Sequence, residues 1–352
     1  MVKNIFISSF FLFFCAAGCL DVDPSVNESA RSNKRLDTPE GMVWYLESLR
    51  LPPLKSVEQW ENEYGPGVKL TTEHYNIYTT LLEPLMLSQI PGFVESAYRS
   101  YQSQLPSPID TVVKLDIYLF AERMEWEIFT REFAGQYANL YLKINMGAYY
   151  LNGSCVAYNI GRERTFSVIG HEGWHQFNSR HFQYRLPSWL NEGIAMLFEA
   201  NRYDRGLFVF EPANNMQRLG ALKRTLMAGN MIPLSQLISL NPGEVLGSSQ
   251  EDSAAAFYSQ SYALIRFLRE DDYGRRREDY HRLLYDGLMG NWSLPARLKE
   301  IAANRNIPLT IGWNRAVGTM LFEDYIGENL EKIEKDYVTF CKKIVFNVRI
   351  AN

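Results

Sequence analysis

The residues best suited to chemistry are two histidines and a glutamate in the run His-Glu-Gly-Trp-His at 171–175. The surrounding segment can form a helix, for which Thr165 is a candidate N-cap. Residues four apart share one face of a helix, so the imidazoles of His171 and His175 can point at one metal ion. Glu172, on the adjacent turn, can reach a water bound to that ion and serve as general base. The pattern predicts a zinc-assisted hydrolysis, although chance alone produces it in roughly one chain in a hundred of this length.

Gly173 lies inside this run and costs a helix about 1 kcal/mol relative to alanine. We expect the small residue to relieve crowding beside the metal.

A catalytic zinc needs a third protein ligand, and His181 is one candidate because it follows His171 by ten residues. This spacing resembles that of metzincins, in which a glycine lets the chain turn back sharply and return the third histidine. Asn178 stands at the position of the turn, and asparagine is next best to glycine in a left-handed conformation.

Glu192 is the second candidate for the third ligand, and we favour it. It lies in Leu-Pro-Ser-Trp-Leu-Asn-Glu-Gly-Ile-Ala at 186–195, where Pro187 is well placed to begin a new helix. A second helix packed on the first would deliver this carboxylate to the two histidines. Glu199 falls on nearly the same face seven residues later, where it can hydrogen-bond a ligand histidine. His181 would then be a histidine of a loop or of the cleft wall.

The sequence Trp-Leu-Asn-Glu-Gly-Ile-Ala, followed by Glu199, resembles the ligand helix of gluzincins, the zinc metallopeptidases of the peptidase MA group. With the first motif it most resembles bacterial peptidase MA-like proteins of unknown substrate, strongly over about 166–200 and more weakly from roughly 74 to 270. The resemblance implies a thermolysin-like catalytic domain, a peptide or protein substrate, and one Zn²⁺ per chain held by His171, His175 and Glu192. The spacing from His171 to His181 instead resembles that of metzincins, so a metzincin-like peptidase is an alternative.

The gluzincin resemblance extends to a tyrosine that faces the metal. The segment Tyr-Ser-Gln-Ser-Tyr at 258–262 resembles the helix that carries it, and a phenol there stabilises negative charge on the carbonyl oxygen during peptide hydrolysis. We choose Tyr258 for this catalytic role, with Tyr262, one turn later, as the substitute. Core packing of both side chains is the alternative in a chain with 21 tyrosines.

In gluzincins an extended peptide substrate commonly pairs with the edge strand that precedes the first metal-binding helix. The run 153–160 is expected to be that strand. The Gly-x-Met-Glu-Asn sequence by which aminopeptidases bind a free N-terminus is absent from this sequence, which slightly favours an endopeptidase.

The elements that must position these residues change character near residue 164. Before it, apolar and β-branched runs predict strands at 74–79, 111–120 and 149–158, the last broken by a turn at Asn152-Gly153, and helices at 90–105 and 123–133. After it, the pattern predicts helices at about 165–179, 187–200, 215–229, 252–270, 276–287, 294–304 and 328–343. The order predicts an α+β fold, with a mixed β-sheet in an N-terminal part (41–164), a helical zinc-binding part (165–352) and the active-site cleft between them.

The first 40 residues are predicted to lie outside this fold. Lys3 and the apolar run 5–14 are typical of a secretory signal, and Ala-Ala-Gly-Cys at 16–19 resembles a bacterial lipobox with Cys19 as the lipidated residue. An ordinary cleaved signal is the alternative. Residues 20–40 are polar and are expected to form a flexible tether. These features predict an exported protein of the bacterial cell envelope, held to the membrane by an N-terminal lipid.

The composition suits a large catalytic domain. The 352 residues are 46% hydrophobic, and 36 basic against 40 acidic residues give a net charge of −4, which provides no electrostatic reason to bind nucleic acid. No cofactor beyond zinc is expected. Cys155 and Cys341 could form a disulfide in an oxidising compartment or remain two buried thiols.

The rival function is that of a non-catalytic envelope lipoprotein, which keeps a peptidase fold in order to bind proteins or glycans. A purely structural zinc site would have no use for Glu172, so the presence of this residue favours the enzyme.

Overall fold

A six-stranded mixed sheet forms the N-terminal part of the chain. The computed structural model of the protein describes residues 35–349 except 110, 112, 146, 247–250 and 328. The strands are β1 (Ser56–Trp60), β2 (Gly67–Thr71), β3 (Tyr75–Thr79), β4 (Leu115–Phe120), β5 (Ala148–Leu151) and β6 (Ser154–Tyr158), in the order β1-β2-β3-β4-β6-β5. The pairs β3–β4 and β4–β6 are parallel, and the remaining pairs are antiparallel. The predicted strands at 74–79, 111–120 and 149–158 are therefore confirmed in type, whereas β1 and β2 were not predicted.

The hairpin between β5 and β6 determines which strand ends the sheet. Asn152 and Gly153 both have positive φ, at 50° and 87°, as a two-residue hairpin turn requires. The turn places β5 on the outer side of β6, which is itself hydrogen-bonded to β4. The expectation that 153–160 forms the edge strand was therefore wrong, because β6 is interior and β5 is the edge.

Fourteen α-helices are described along the chain. They are α1 (Pro39–Ser48), α2 (Pro84–Gln102), α3 (Arg123–Phe133), α4 (Ala138–Tyr141), α5 (Arg162–His181), α6 (Ser188–Ala195), α7 (Met216–Met227), α8 (Leu234–Leu237), α9 (Pro242–Leu246), α10 (Glu251–Glu270), α11 (Arg277–Met289), α12 (Ala296–Ala303), α13 (Ile311–Tyr325) and α14 (Leu330–Ile344).

Helix α2 begins earlier than the sequence predicted, at Pro84 rather than near residue 90. The Glu83 carboxylate accepts hydrogen bonds from the backbone N–H groups of Leu85 and Met86, so a side-chain cap and a proline at the first position start the helix there. Pro91 lies inside the helix instead of bounding it, at the cost of one backbone hydrogen bond.

The C-terminal part is helical except for one hairpin. Strands β7 (Asn201–Asp204) and β8 (Leu207–Phe210) pair antiparallel around a turn at Arg205 and Gly206, both with positive φ. The hairpin and helix α13 were not predicted. The hairpin contacts α2, where the Phe208 backbone N–H donates to the Ser96 hydroxyl at 3.1 Å.

The α+β class and the arrangement of a sheet-rich N-terminal part before a helical C-terminal part are confirmed. Cys155 and Cys341 are both buried and unpaired. Within the described residues, no helix has both the length and the apolar character needed to span a bilayer. The predicted signal peptide, Cys19 and most of the tether lie outside the described residues, and α1 begins at Pro39, just inside the predicted end of the tether.

Candidate metal centre

Two helices bring three ligand atoms together. His171 and His175 lie one turn apart on α5, and Glu192 lies on α6, which packs against α5. The Nε2 atoms of the two histidines are 3.3 Å apart. Glu192 approaches His171 Nε2 with Oε2 at 3.4 Å and His175 Nε2 with Oε1 at 3.7 Å. This is the one group of three or more histidine, cysteine or acidic residues within the described chain whose ligand atoms could hold a metal ion.

The spacing of these atoms fits a tetrahedral metal. Zinc–nitrogen and zinc–oxygen bonds of about 2.0–2.2 Å at tetrahedral angles separate two ligand atoms by about 3.3–3.6 Å. The three measured separations fall in or next to this range. The side chains of His171, His175 and Glu192 are 14%, 12% and 16% exposed, so the site is largely dry but open on one side. Two imidazoles and one carboxylate suit Zn²⁺ and leave a coordination position for water.

Hydrogen bonds to the other ring nitrogens orient both imidazoles. His171 Nδ1 lies 2.9 Å from Glu199 Oε1, and His175 Nδ1 lies 3.0 Å from Asn191 Oδ1. Both partners are acceptors, which assigns the proton of each neutral ring to Nδ1 and leaves an electron pair on Nε2. Two such nitrogens and a carboxylate therefore converge without a hydrogen between them. This arrangement requires a cation, either a metal ion or an extra proton.

Glu199 belongs to a buried ionic network behind His171. Arg218 donates through Nε and Nη2 to both carboxylate oxygens at 2.8 and 2.6 Å, and Asn215 Nδ2 donates at 2.9 Å. Burial opposes ionisation of Glu199, but the bonds from Arg218 and His171 outweigh it and lower its pKa to about 2. The carboxylate is thus held in the charged form, which accepts a hydrogen bond from Nδ1 of His171.

Carboxylates surround the two histidines and shift their pKa values. Burial disfavours the imidazolium form of His171, yet Glu192 and Glu199 raise its pKa to about 10. Burial likewise disfavours the Glu192 carboxylate, but the two histidines lower its pKa well below the ordinary value. With its pKa raised in this way, His171 favours the protonated form when no metal is bound, so a metal ion that binds there would displace a proton.

Close helix packing explains the glycine inside the first motif. A Cβ at Gly173 would overlap the Tyr101 hydroxyl, which donates to the Gly170 carbonyl at 2.8 Å. Gly173 thus makes room for a side chain of α2, not for the metal as expected from the sequence. At Gly193 a Cβ would collide with Ser261 and Ile265, so this glycine lets α6 lie directly against α10.

The three candidate ligands line a cleft of about 390 Å³ between the sheet-rich and the helical parts of the fold. Its walls include Tyr141, Ile144, Ala148, Tyr149 and Tyr150 from the N-terminal part, and Glu172, Leu186, Tyr258, Arg305 and Leu309 from the C-terminal part. The sequence also predicted a cleft between these two parts.

Glu172, the candidate general base, lies in this cleft. Burial raises the pKa of Glu172, while the adjacent histidines and the backbone N–H of Tyr150 oppose the change.

Only one of the two candidate tyrosines lines this cleft. Tyr258 is partly buried, and burial together with the charge of Glu192 raises its pKa, which keeps the phenol protonated. The Arg218 guanidinium lies over its ring, 5.6 Å from the centroid. Tyr262 is fully buried, where its hydroxyl donates to the Pro212 carbonyl and accepts from Arg266 at 3.1 Å. The structure therefore places Tyr258, and not Tyr262, beside the ligand group.

His181 does not join the ligand group. Helix α5 continues without a turn at Asn178, so His181 lies about 15 Å along the helix axis from His171. Its Nδ1 pairs with the Phe177 carbonyl at 2.7 Å, and its ring packs near Tyr98 and Phe177. Asn178 donates instead to Trp174 O and Asn191 Oδ1. The geometry thus brings Glu192 to the histidines and leaves His181 in an aromatic cluster.

The sequence reasoning missed the partners that complete the network. Asn191 directly precedes Glu192 in the quoted motif, so its position offered a signal, but no role was assigned to it. Arg218 and Asn215 lie on and before α7, beyond the β7–β8 hairpin, and no local pattern indicated them.

No protein-family model matches the sequence, and comparison with curated proteins gave no match. The resemblance to gluzincins consequently rests on the sequence motifs, and the structure adds a group of three residues that could hold a metal ion.

Proposed function

We propose that the protein is a zinc-dependent metallopeptidase of the gluzincin type. The observation that supports this most strongly is the convergence of His171, His175 and Glu192, with Glu172 in the same cleft. A structural metal site is closed by a fourth protein ligand and needs no base. Here the described residues supply three ligands and a carboxyl group beside an open cleft.

A Zn²⁺ ion bound at this site would lower the pKa of a bound water and polarise the scissile carbonyl. Glu172 would accept a proton from the attacking water and pass it to the leaving amine. Its partly buried position and the upward shift of its pKa suit a group that must take up and release a proton. Tyr258, held as a phenol, would donate a hydrogen bond to the carbonyl oxygen as negative charge develops there.

Strand β5 is the element best placed to bind an extended peptide. It ends the sheet, and Ala148, Tyr149 and Tyr150 line the cleft that contains the metal ligands. An edge strand offers unpaired backbone groups, with which a substrate in extended conformation can form a further strand. This arrangement favours an endopeptidase, since β5 can extend a peptide past the ligand group without binding its terminus.

We further propose that the protein acts outside the cytoplasm as an envelope lipoprotein. The support is the signal-like segment at 1–14 and the lipobox-like residues ending in Cys19. The partners would then be a membrane, through the lipid, and a peptide or protein substrate, without nucleic acid.

The experiment joins zinc analysis to unbiased peptide-cleavage profiling of wild type and Glu172→Gln. Wild type should contain about one zinc per chain and cleave a subset of a broad peptide library. Glu172→Gln should keep the zinc and lose hydrolysis, because the amide cannot accept the proton. Glu163→Gln is the matched control, since Glu163 is exposed on the first turn of the same helix and should behave as wild type.

If wild type is as inert as Glu172→Gln across the library while both bind zinc, the peptidase proposal fails. That result would favour the non-catalytic binding lipoprotein.

A further inference from the structure

Two arginines line the same cleft as the metal ligands. Arg185 follows α5 in the loop that leads to α6, and Arg305 follows α12. Ser179, one turn beyond His175 on α5, and Tyr150 of the edge strand also line the cleft, and their hydroxyls are 2.7 Å apart. The cleft therefore presents two cationic side chains in addition to the carboxylates of Glu172 and Glu192, in a protein whose net charge is −4.

Neither guanidinium is neutralised by the protein. Among the described residues, no carboxylate forms an ion pair with Arg185 or Arg305, although most other partly buried arginines near this core have one. Arg185 donates from Nη2 to the carbonyls of Ile301 and Asn304, the latter at 3.1 Å, and Arg305 donates to the Phe182 carbonyl at 2.7 Å. These carbonyl oxygens accept hydrogen bonds, but they place no negative charge beside either guanidinium.

One N–H group of Arg185 also lacks a hydrogen-bond acceptor. Arg185 Nε is buried and has no hydrogen-bond partner within the described residues. Burial, and then the charge of Arg305, lowers the pKa of Arg185 to about 10. The partial burial of Arg185 and the like charge of Arg305 raise the free energy of the empty site, and an anion bound beside them would lower it.

A structural role accounts for only part of this arrangement. Arg185 binds carbonyls at the C-terminal end of α12, which is a favourable place for a cation. Such a cap does not explain why Arg305, an exposed residue with four further N–H donors, is placed in the same cleft wall.

We propose that Arg185 and Arg305 bind a carboxylate of the peptide substrate and so make the enzyme selective for acidic peptides. The inference rests on the proposed peptidase function, whose cleft it describes. A guanidinium matches a carboxylate with two parallel N–H donors, and this geometry is the most favourable one for an anionic peptide group. The carboxylate can be the free C-terminus or the side chain of Asp or Glu, since both present the same two oxygens.

The test uses binding, so that it does not depend on hydrolysis. Zinc-loaded Glu172→Gln protein is titrated with fluorescent peptides from a library in which each sequence exists in matched forms. One pair differs by Glu against Gln at one position, and another by a free against an amidated C-terminus. The same peptides are titrated against Glu172→Gln combined with Arg305→Gln, Arg305→Lys or, as control, Arg205→Gln. Arg205 is 97% exposed in the β7–β8 turn.

We expect the Glu172→Gln protein to bind the carboxylate form at least about 10-fold more tightly than its neutral counterpart. Arg305→Gln should bring this ratio close to one without weakening the neutral peptide, Arg305→Lys should retain part of it, and Arg205→Gln should leave it unchanged. A ratio that depends on the C-terminus identifies the terminal carboxylate, and one that depends on Glu against Gln identifies the side chain. Arg305 is the primary variant because Arg185→Gln would also disturb the end of α12.

The inference is overturned if carboxylate and neutral peptides bind alike, or if Arg305→Gln weakens both forms equally. The failure of this inference can be distinguished from the failure of the peptidase proposal. A wild-type enzyme that cleaves peptides without regard to charge would contradict the inference alone. An inert wild type that binds acidic peptides through Arg305 would contradict the peptidase alone.

Discussion

The two ligand histidines are oriented by different kinds of hydrogen bond, and this difference predicts unequal effects on metal affinity. His175 Nδ1 pairs with the neutral amide of Asn191 at 3.0 Å, whereas His171 Nδ1 pairs with the ionised Glu199 at 2.9 Å. A neutral hydrogen bond contributes about 1 kcal/mol, and one to a charged group about 1.5–3 kcal/mol. These values correspond to roughly 5-fold and 10- to 150-fold in a dissociation constant.

We therefore expect Asn191→Ala to weaken zinc binding by about 5-fold and Glu199→Gln by at least about 10-fold. The glutamine keeps the shape of Glu199, but its amide NH2 group must replace one carboxylate oxygen that now accepts hydrogen bonds, so the loss combines the missing charge with the missing acceptor. Ser179→Ala is the control, because its hydroxyl contacts Tyr150 and not a metal ligand; it should bind zinc as wild type does.

The measurement is a competition for zinc against a chromophoric chelator, with the thermal unfolding of each metal-free variant recorded to confirm that it is folded. The reasoning is refuted if both variants bind zinc within about twofold of wild type, or if Asn191→Ala is the more damaging of two equally folded proteins.

Three further outcomes follow from the same contacts. Glu192→Ala should lose zinc and His181→Ala should retain it, as measured by metal content after dialysis; the opposite pair of results would support the metzincin-like arrangement. Gly173→Ala should lower the free energy of unfolding by about 1–3 kcal/mol in urea denaturation, because its Cβ overlaps the Tyr101 hydroxyl, and an unchanged or higher stability would contradict the packing described. Tyr258→Phe should keep stoichiometric zinc but reduce kcat by about 100-fold or more, and an unaltered kcat would remove the phenol from the mechanism.

The sequence predicted most of the candidate metal centre because its residues lie close together along the chain. His171 and His175 follow from a four-residue spacing on a helix, and Glu192 follows from a second helix that begins at a proline. Tyr258 was preferred over Tyr262 only by resemblance. The structure separates them, because the hydroxyl of Tyr262 is engaged by a backbone carbonyl in the core.

What the sequence could not show depends on tertiary contacts between distant segments. The role of Gly173 is set by Tyr101, a side chain of α2 about 70 positions earlier. The edge strand was misassigned because a hairpin fixes which two strands pair but not which of them contacts the rest of the sheet. Arg218 reaches Glu199 only after the β7–β8 hairpin reverses the chain, and hairpins so short give a weak sequence pattern.

The most direct test of the metal centre is anomalous diffraction at the zinc edge from crystals of the zinc-loaded protein. We expect one strong peak per chain at bonding distance, about 2.0–2.2 Å, from Nε2 of His171, Nε2 of His175 and a carboxylate oxygen of Glu192. No peak at these three residues, or a peak bonded to His181 in place of Glu192, would contradict the proposed site.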